Sequence, residues 1–334
     1  MCENDLIAAR RIEEILAGAM RSRSLVMAHR LGIFEVLSER SLTIDELSDR
    51  LLLKNRLGVG KLLSTLESLG LLASVGESYA LTDTARASLL KSSPGYFGDL
   101  VDFFAQQLEM KTASYVQDLL RLGSQPAPTV SDQQWSVYMA AMESMARMSA
   151  DAIAQAIDFG NEATVLDLGG GPGLYAIAFC QRFPQLFATI YDLPAALQHA
   201  EAHVRAARLS ERITCVAGSA TDAHYGGPYD VIFVSHTIHL FDPAAVGRMF
   251  RACHASLKPG GRLVVRDVIM NDSKTTPSLG SLVALNMWLD GEAYSFGQIA
   301  ELMREAGLAD ISERPIAGGQ GPEVLGSLVI GRSV

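Results

Sequence analysis

Four glycines in one short loop are the first residues whose type and spacing suit ligand chemistry. Residues 165–173 read Val-Leu-Asp-Leu-Gly-Gly-Gly-Pro-Gly, so an apolar run ends directly in the loop. This order predicts a β-strand, a tight turn and a helix. Because glycine has no Cβ, the backbone of such a turn approaches a ligand closely at the start of the helix. We expect a bound cofactor to contact Gly169, Gly170, Gly171 and Gly173.

An acid follows at the end of the next apolar run. Asp192 stands 19 residues after Gly173, and we expect Leu193 beside it to contact the same ligand. A carboxylate at the tip of the neighbouring parallel strand accepts hydrogen bonds from a ribose, so the two features together indicate an adenosine ligand. A dinucleotide fingerprint requires a glycine where Leu174 stands, which disfavours a nicotinamide cofactor. The position of Asp192 also disfavours a purely structural glycine turn.

The composition excludes several classes of protein. A length of 334 residues predicts two domains, and 49% hydrophobic with 19% charged residues is typical of a globular protein. The formal net charge of −9 argues against nucleic acid as the main partner, because a basic surface supplies most of that affinity.

The cysteines and the N-terminus favour a cytoplasmic protein. None of the cysteines forms a Cys-x-x-Cys pair, so we expect reduced thiols rather than disulfides or a zinc site. The acidic start lacks the apolar region of a signal peptide, and no apolar run reaches the roughly 18 residues of a membrane span. The cysteines are Cys2, Cys180, Cys215 and Cys253.

The first part of the chain has a winged-helix pattern of helices followed by a hairpin. Apolar residues recur at helical spacing over residues 6–37, and Thr43 with Glu46 predicts a capping box. The other expected elements are a separate second helix at 22–31 ending before Gly32, a helix at 59–69 and a hairpin turning at Gly76.

Winged helices often bind DNA, but the charges favour another partner. Residues 41–90 carry five cations against six anions, and the helix at 59–69 has only one cation. Contacts to phosphates need several cations, so we expect a protein–protein module, namely a homodimer surface. A regulator that binds DNA through this region is the less favoured alternative.

Residues 95–158 are predicted to be helical and rich in methionine and aromatic side chains. These side chains either fill the core or line an apolar pocket, because methionine and aromatic groups adapt to flat organic molecules. The candidates include Phe103, Phe104, Met110, Trp135, Tyr138, Met139, Met142, Met145 and Met148, with Met287 and Trp288 further on.

From residue 163 the predicted strands alternate with helices. This alternation predicts an α/β fold, a doubly wound, Rossmann-like sheet with its ligand at the carboxyl ends of the strands. Residues 1–155 are then a helical, winged-helix dimerisation domain that contributes to the substrate pocket, and residues 156–334 bind the cofactor. The strands are expected at 163–168, 187–191, 212–216, 230–235, 262–268 and 325–331.

The ordered motifs resemble the S-adenosylmethionine-dependent small-molecule O-methyltransferases, the family of the caffeate and acetylserotonin enzymes. They are the loop at 165–173, Tyr191-Asp192-Leu193-Pro194, Tyr229-Asp230-Val231-Ile232-Phe233 and Leu257-Lys258-Pro259-Gly260-Gly261. The resemblance covers nearly the whole chain and implies S-adenosylmethionine as cofactor, a homodimer through the N-terminal domain and a mechanism without metal.

The resemblance also assigns the reacting groups. His239, in Ser235-His236-Thr237-Ile238-His239-Leu240-Phe241, matches the family's general base, and Asp267 and Glu292 match the acids that orient it. An imidazole is a suitable acceptor for a phenolic proton, and a carboxylate on its other nitrogen fixes the tautomer. The expected reaction is methyl transfer to a phenolic or enolic hydroxyl of a flat aromatic or polycyclic molecule.

Departures from the family pattern concern the residues expected to bind the cofactor. After Gly218 the family has an acid on the adenine side, whereas this chain has Ser219 and Ala220. Either Asp222 substitutes for that acid or apolar contacts hold the adenine. Ser235 stands where the family has a lysine, and we still expect Gly218, Ser219, Ala220 and Ser235 to bind the cofactor.

Other functions remain open on the same sequence. A carbon methyltransferase or another S-adenosylmethionine-dependent enzyme fits the same fold. His236 and His239 are three residues apart and suit a shared metal, but no third ligand is evident nearby, so we expect no metal.

Overall fold

The computed structural model describes residues 3–123, 126, 129–287, 289, 291–316 and 327–334. Cys2, Trp288, the side chain of Met287 and the start of the predicted strand at 325–331 lie outside the described residues. Two compact units divide the chain, Met1–Gln106 and Gln107–Val334. The domain boundary between residues 155 and 156 stays a prediction.

Helices and a small sheet form the first unit. Its elements are α1 (Glu3–Arg30), α2 (Ile33–Val36), β1 (Leu42–Thr43), α3 (Ile44–Arg50), α4 (Arg56–Ser68), β2 (Leu72–Val75), β3 (Ser78–Leu81) and α5 (Asp83–Leu89), with α6 (Gly98–Met110) running into the second unit.

The prediction of a separate second helix at 22–31 is wrong, because α1 continues without a break to Arg30. No proline interrupts this segment, so nothing removes an intrahelical hydrogen bond before Gly32. At Gly32 the backbone turns left-handed, with φ +75°, and the helical path ends there.

The winged-helix prediction is confirmed in the first unit. Its sheet has the antiparallel order β1-β3-β2, and Gly76 turns the hairpin with φ +61°. The capping box is present: Thr43 Oγ1 accepts from Glu46 N at 3.2 Å, and Glu46 Oε2 accepts from Thr43 N at 2.8 Å. Leucines and aromatic groups of the helices, including Phe34, Leu47, Leu63 and Leu66, fill the core beneath it.

A seven-stranded sheet organises the second unit. Its helices are α7 (Ala113–Leu122), α8 (Asp132–Ile157), α9 (Leu174–Arg182), α10 (Pro194–Ala206), α11 (Pro243–Ser256), α12 (Ser278–Met287) and α13 (Phe296–Glu305). Its strands are β4 (Thr164–Leu168), β5 (Phe187–Asp192), β6 (Ile213–Ala217), β7 (Tyr229–Ser235), β8 (Leu257–Asp267), β9 (Leu308–Pro315) and β10 (Ser327–Ser333).

The strand order is β6-β5-β4-β7-β8-β10-β9, with β6, β5, β4, β7 and β8 parallel. One apolar cluster joins α8, α9 and α10 to one face, and another joins α11 and α13 to the other. The doubly wound prediction is therefore confirmed, and both faces of the sheet are covered.

The prediction that helix fills the segment before the last strand is wrong at β9. This strand is antiparallel to β10 and lies at the edge of the sheet. Only Leu308 in it is fully buried, so its sequence lacks the apolar run that identified the central strands.

The sheet brings distant chain segments together at one edge. In neighbouring parallel strands Leu168 pairs with Tyr191 and with Val234, and Ser235 pairs with Arg266. The carboxyl ends of β4, β5, β7 and β8 therefore lie side by side, which is where open α/β sheets bind their ligands. In the described ranges, no helix is both long and apolar enough to cross a membrane.

Candidate active site

A cavity of about 370 Å³ opens at this edge of the sheet. Its volume lies in the range of small-molecule sites. Most of the cofactor residues predicted from the sequence line it: Gly169, Gly170, Gly171, Asp192, Leu193, Ser219, Ala220 and Ser235.

The glycine loop has the backbone that only glycine adopts easily. Gly169 has φ +71°, and a Cβ there would lie 2.6 Å from Thr237 Oγ1. Gly171 has φ +53°, but a Cβ there would meet no atom within 4 Å. Gly171 therefore leaves space in the cavity wall that a side chain would occupy, and this space fits the close approach of a nucleoside.

Asp192 is tied to the same loop. Its Oδ2 accepts from Gly171 N at 2.7 Å, and its Oδ1 accepts from Leu193 N at 2.6 Å. Burial raises the pKa of Asp192, against the opposing effect of these two backbone donors. A carboxylate held in a cavity wall beside a glycine loop suits the hydroxyls of a ribose.

Two of the predicted cofactor glycines have a different surrounding. Gly173 begins α9 with φ +78°, and a Cβ there would lie 2.8 Å from Ile190 Cδ1. A Cβ on Gly218 would lie 2.0 Å from the hydroxyl of Tyr191. At both positions a side chain would force neighbouring side chains to move. The part of these two glycines in cofactor binding, like that of the other predicted residues, stays a prediction.

Asp222, the proposed substitute for the missing adenine-side acid, is bonded within the chain. Its Oδ2 accepts from the hydroxyl of Tyr191 at 2.6 Å and from Ser219 N at 2.8 Å. The hydrogen bond from Tyr191 is the main cause that lowers the pKa of Asp222. This acid therefore orders the loop that carries Ser219 and Ala220 into the cavity wall.

The apolar wall of the cavity comes from α8. Trp135, Tyr138, Met139, Met142 and Met145 line it, so these methionine and aromatic residues form a pocket surface. Of the other candidates, Met148 is 39% exposed, and Phe103 and Phe104 contact each other edge to face. Helical spacing left the two interpretations open, because it does not show which face meets a cavity.

His239 and Asp267 form a buried pair. His239 lies in a single 3₁₀ turn, Ile238–Leu240, after β7, and Asp267 is the last residue of β8. The Nδ1 atom of His239 lies 2.8 Å from Oδ1 and 3.0 Å from Oδ2 of Asp267. Burial alone raises the pKa of Asp267, but the neighbouring imidazoles of His239 and His236 outweigh it and hold that pKa well below the usual range.

Glu292 has a different side-chain partner. Its Oε1 lies 2.9 Å from Lys274 Nζ and accepts from Ala293 N at 2.9 Å, while its own N–H donates to the carbonyl of His239 at 3.2 Å. Within the described residues, the carboxylate bonded to the His239 ring is that of Asp267. The sequence left both acids open as orienting groups.

The sequence indicated His236 only as a metal ligand, yet this residue lines the cavity and lies beside the same carboxylate. His236 Nδ1 is 3.7 Å from Asp267 Oδ1, and the two imidazole rings are 5.9 Å apart. Ligand atoms of His236, His239 and Asp267 lie within 4.8 Å of one another, close enough for one metal ion. The third ligand that the sequence did not reveal is thus Asp267, and metal independence stays a prediction.

A buried arginine behind the cavity was also missed. Arg266 is 2% exposed, and its guanidinium donates to the hydroxyl of Tyr175 at 2.8 Å and to Ser235 Oγ at 3.3 Å. Ser149 Oγ lies 3.0 Å from the same tyrosine hydroxyl, which connects α8 to the sheet. The apolar run of β8 gave no signal that its arginine is buried.

The sheet, the glycine loop and the carboxylate after it define a Rossmann-like methyltransferase fold. The model of the O-methyltransferase domain family matches residues 123–309, and that of the O-methyltransferase dimerisation domain matches residues 13–91. The chain therefore belongs to the O-methyltransferase family. This membership confirms the predicted enzyme class and its cofactor, S-adenosylmethionine.

Individual relatives are distant but match most of the length of the chain. The chain is 23% identical to the 3-hydroxy-5-methyl-1-naphthoate 3-O-methyltransferase of Streptomyces sahachiroi, over 90% of this chain and 89% of that one. It is 26% identical to the tetracenomycin polyketide synthesis 8-O-methyltransferase of Streptomyces glaucescens, over 89% and 90%. Human N-acetylserotonin methyltransferase in complex with S-adenosylmethionine has a similar fold, with a TM-score of 0.83, 21% identity and coverage of 98% and 97%.

Proposed function

We propose that this enzyme methylates a phenolic or enolic hydroxyl of a flat small molecule, with His239 as general base and without a metal ion. The observation that carries the proposal is the buried hydrogen bond between His239 Nδ1 and Asp267. With Nδ1 bonded to a carboxylate, the proton of the neutral ring sits on Nδ1 and the lone pair on Nε2.

The chain's own residues have a limited task in this reaction. S-adenosylmethionine supplies a methyl group on a sulfonium sulfur, which is already a strong electrophile. His239 would take the proton from the acceptor hydroxyl as that oxygen attacks the methyl group. Asp267 then stabilises the imidazolium and keeps its orientation. The walls of the cavity align the acceptor.

The glycine loop and Asp192 would hold the nucleoside. Gly171 leaves space for it, and Asp192 lies next to that space with a carboxylate that accepts from ribose hydroxyls. Ser219, Ala220, Leu193 and Ser235 complete the proposed binding surface.

The charges near the histidines favour chemistry without a metal. Burial, and then the charge of Arg266, lowers the pKa of His236, so a divalent cation between the imidazoles would be repelled by the same guanidinium. His239 Nδ1 is also already bonded to Asp267 at 2.8 Å, so a metal held through that nitrogen would have to displace this hydrogen bond.

The acceptor class follows from the apolar wall. Trp135, Tyr138 and the methionines of α8 present flat and adaptable surfaces, which suits an aromatic or polycyclic molecule. The relatives named for naphthoate and tetracenomycin methylation agree with this proposal. We also propose a homodimer through the matched dimerisation domain.

Release of S-adenosylhomocysteine tests the function directly. Wild type and His239→Gln are assayed with phenols, naphthols, quinols and hydroxyindoles. We expect turnover on one hydroxylated class and a loss of about 10²- to 10⁴-fold in kcat in the variant. Near-normal turnover in His239→Gln contradicts the base assignment. A product labelled on carbon would favour the carbon methyltransferase instead.

The metal assignment has its own control. Activity is measured after treatment with EDTA and again after addition of Mg²⁺ or Zn²⁺. We expect the same rate in all of these conditions. If EDTA abolishes the activity and one of the ions restores it, the enzyme needs a metal and the proposal is wrong.

A further inference from the structure

A buried hydroxyl connects three parts of the active site. Tyr175 lies in the first turn of α9, directly after the glycine loop, and it lines the cavity although the residue is only 8% exposed. Its hydroxyl contacts the guanidinium of Arg266 in β8 at 2.8 Å and Ser149 Oγ in α8 at 3.0 Å, and both of these residues are fully buried. Three distant segments of the chain therefore meet at one oxygen atom.

The hydrogen bonds at this oxygen have a fixed direction. A guanidinium has only donors, so the oxygen of Tyr175 accepts from Arg266. The hydroxyl of Ser149 donates to the carbonyl of Met145 at 2.9 Å, which leaves its oxygen to accept from the Tyr175 hydroxyl. The chain of hydrogen bonds consequently runs from β8 through α9 to the backbone of Met145, a residue of the apolar cavity wall.

The other end of this chain lies beside the proposed acid–base pair. Arg266 directly precedes Asp267 in β8, and its guanidinium also donates to Ser235 Oγ at 3.3 Å. Ser235 is the last residue of β7, and the turn that carries His239 follows it. The guanidinium therefore holds the ends of both strands against Tyr175.

The ring and the hydroxyl of Tyr175 have different tasks. The ring packs against Phe179 and Phe233, with distances between ring centroids of 6.5 and 5.4 Å. Such apolar burial is non-directional, so it keeps the residue in the core without fixing the neighbouring elements in one arrangement. Hydrogen bonds between buried groups are directional, and a buried group that loses its partner is costly. The hydroxyl therefore fixes where α8 lies relative to the ends of the strands.

We propose that the Tyr175 hydroxyl is a positioning group for methyl transfer, which holds the acceptor wall of α8 in register with the glycine loop and with the strand end that carries Asp267. The wall of α8 aligns the acceptor, the loop holds the cofactor and Asp267 orients the base, so one hydroxyl aligns all three. A misplacement of about 1 Å that arises away from the reacting atoms costs about 100-fold in rate. The inference rests on the proposed function for the parts played by His239 and Asp267.

Tyr175→Phe tests this, because it removes the hydroxyl and keeps the ring. The assay uses S-adenosylmethionine with 2-naphthol, or with catechol or 5-hydroxyindole where 2-naphthol is not methylated. We expect kcat to fall about 10- to 100-fold, because the substrates are bound but misaligned. The KM of each substrate should stay within about threefold, since the residues that contact them are unchanged. A purely structural role would lower the melting temperature without separating kcat from KM.

Two further variants test the chain of hydrogen bonds. Ser149→Ala cuts only the link to α8, so it should also lower kcat. The double variant should lose no more than Tyr175→Phe alone, because both changes interrupt the same chain. Tyr229→Phe is the matched control: its hydroxyl donates to the carbonyl of Tyr225 at 3.2 Å, and Tyr229 begins β7 at the opposite end from Ser235. This control should retain the wild-type kcat.

Hydrogen exchange gives a measurement that needs no methyl acceptor. With S-adenosylhomocysteine bound, the backbone amides of α8 around Ser149 should exchange about tenfold faster in Tyr175→Phe than in wild type, because α8 has lost its buried partner. The same amides should exchange at the wild-type rate in Tyr229→Phe.

Each outcome has a definite meaning. An unchanged kcat in Tyr175→Phe contradicts the inference and leaves the proposed function intact. Losses that multiply in the double variant also contradict it, because two separate effects are then present. If Tyr175→Phe does not fold, the kcat of Ser149→Ala against that of Tyr229→Phe decides in the same way. If no hydroxylated acceptor is methylated, the proposed function is wrong, and equal exchange in α8 of wild type and Tyr175→Phe then contradicts the inference independently.

Discussion

Replacing Asp267 by asparagine is the sharpest test of the catalytic geometry. Its carboxylate oxygens lie 2.8 and 3.0 Å from His239 Nδ1, and both residues are buried. Once His239 holds the acceptor's proton, two opposite charges are about 4 Å apart, which at an effective dielectric constant of about 20 gives about 4 kcal/mol. Losing this attraction in the transition state lowers kcat by about 10³-fold.

Asparagine also changes where the proton sits. Its amide N–H₂ donates to Nδ1 and favours the tautomer with a proton on Nε2, the atom that has to accept. We expect Asp267→Asn to lose about 10²- to 10⁴-fold in kcat at pH 7. Its affinity for S-adenosylhomocysteine should stay near that of wild type, because the glycine loop and Asp192 are untouched.

The assay follows S-adenosylhomocysteine release at saturating acceptor and cofactor, at pH 7 and at about pH 9.5. The loss of kcat in Asp267→Asn relative to wild type should be smaller at the higher pH, since a phenolic acceptor ionises by itself near pH 10. Glu162→Gln is the matched control, because Glu162 is a partly buried acid paired with Arg262 at the other end of the sheet. This control should retain wild-type kcat.

Glu292→Gln tests the rival assignment from the sequence. Its carboxylate contacts Lys274, so we expect a smaller loss than in Asp267→Asn. A kcat of Asp267→Asn within about threefold of the wild-type value would refute this assignment, because an orienting acid is expected to have a much larger effect. A lower kcat in Glu292→Gln than in Asp267→Asn would refute it as well.

Three further predictions concern stability and cofactor binding. Burial raises the pKa of Asp167 to about 7, so ionising its carboxyl destabilises the folded state as pH rises from about 4 to 7. The free energy of unfolding of Asp167→Asn, measured in urea, should therefore increase by about 2–3 kcal/mol relative to that of wild type between pH 5 and pH 8. A difference that does not change with pH contradicts this prediction. Gly171→Ala should weaken S-adenosylhomocysteine binding by at least about tenfold while costing about 1–2 kcal/mol of stability, whereas Gly173→Ala, which meets Ile190, should cost more stability. Thr43→Ala removes the capping box of α3 and should cost about 1 kcal/mol, and no change in the urea midpoint would contradict the role of the cap.

Local patterns in the sequence were enough to predict the fold class and the proposed cofactor site. The glycine loop after an apolar run, and Asp192 at the end of the next run, are properties of adjacent segments, so their order is enough to predict them. The capping box of Thr43 and Glu46 and the hairpin at Gly76 are equally local. The central strands were predicted because they are buried on both faces and are therefore continuously apolar.

Only the tertiary structure decided which groups meet. The pairing of Ser235 with Arg266 places Asp267 next to the turn that carries His239, although 28 residues separate the two in sequence. The same arrangement turns His236 into a cavity residue. It leaves the carboxylate of Glu292 with Lys274.

The physical reason is that side-chain contacts between strands depend on register, not on sequence distance. A shift of one residue between β7 and β8 would send Asp267 to the other face of the sheet. No local periodicity encodes this register. The sequence therefore determined which residues are available for the chemistry, and the packing of the strands determined which acid reaches the histidine.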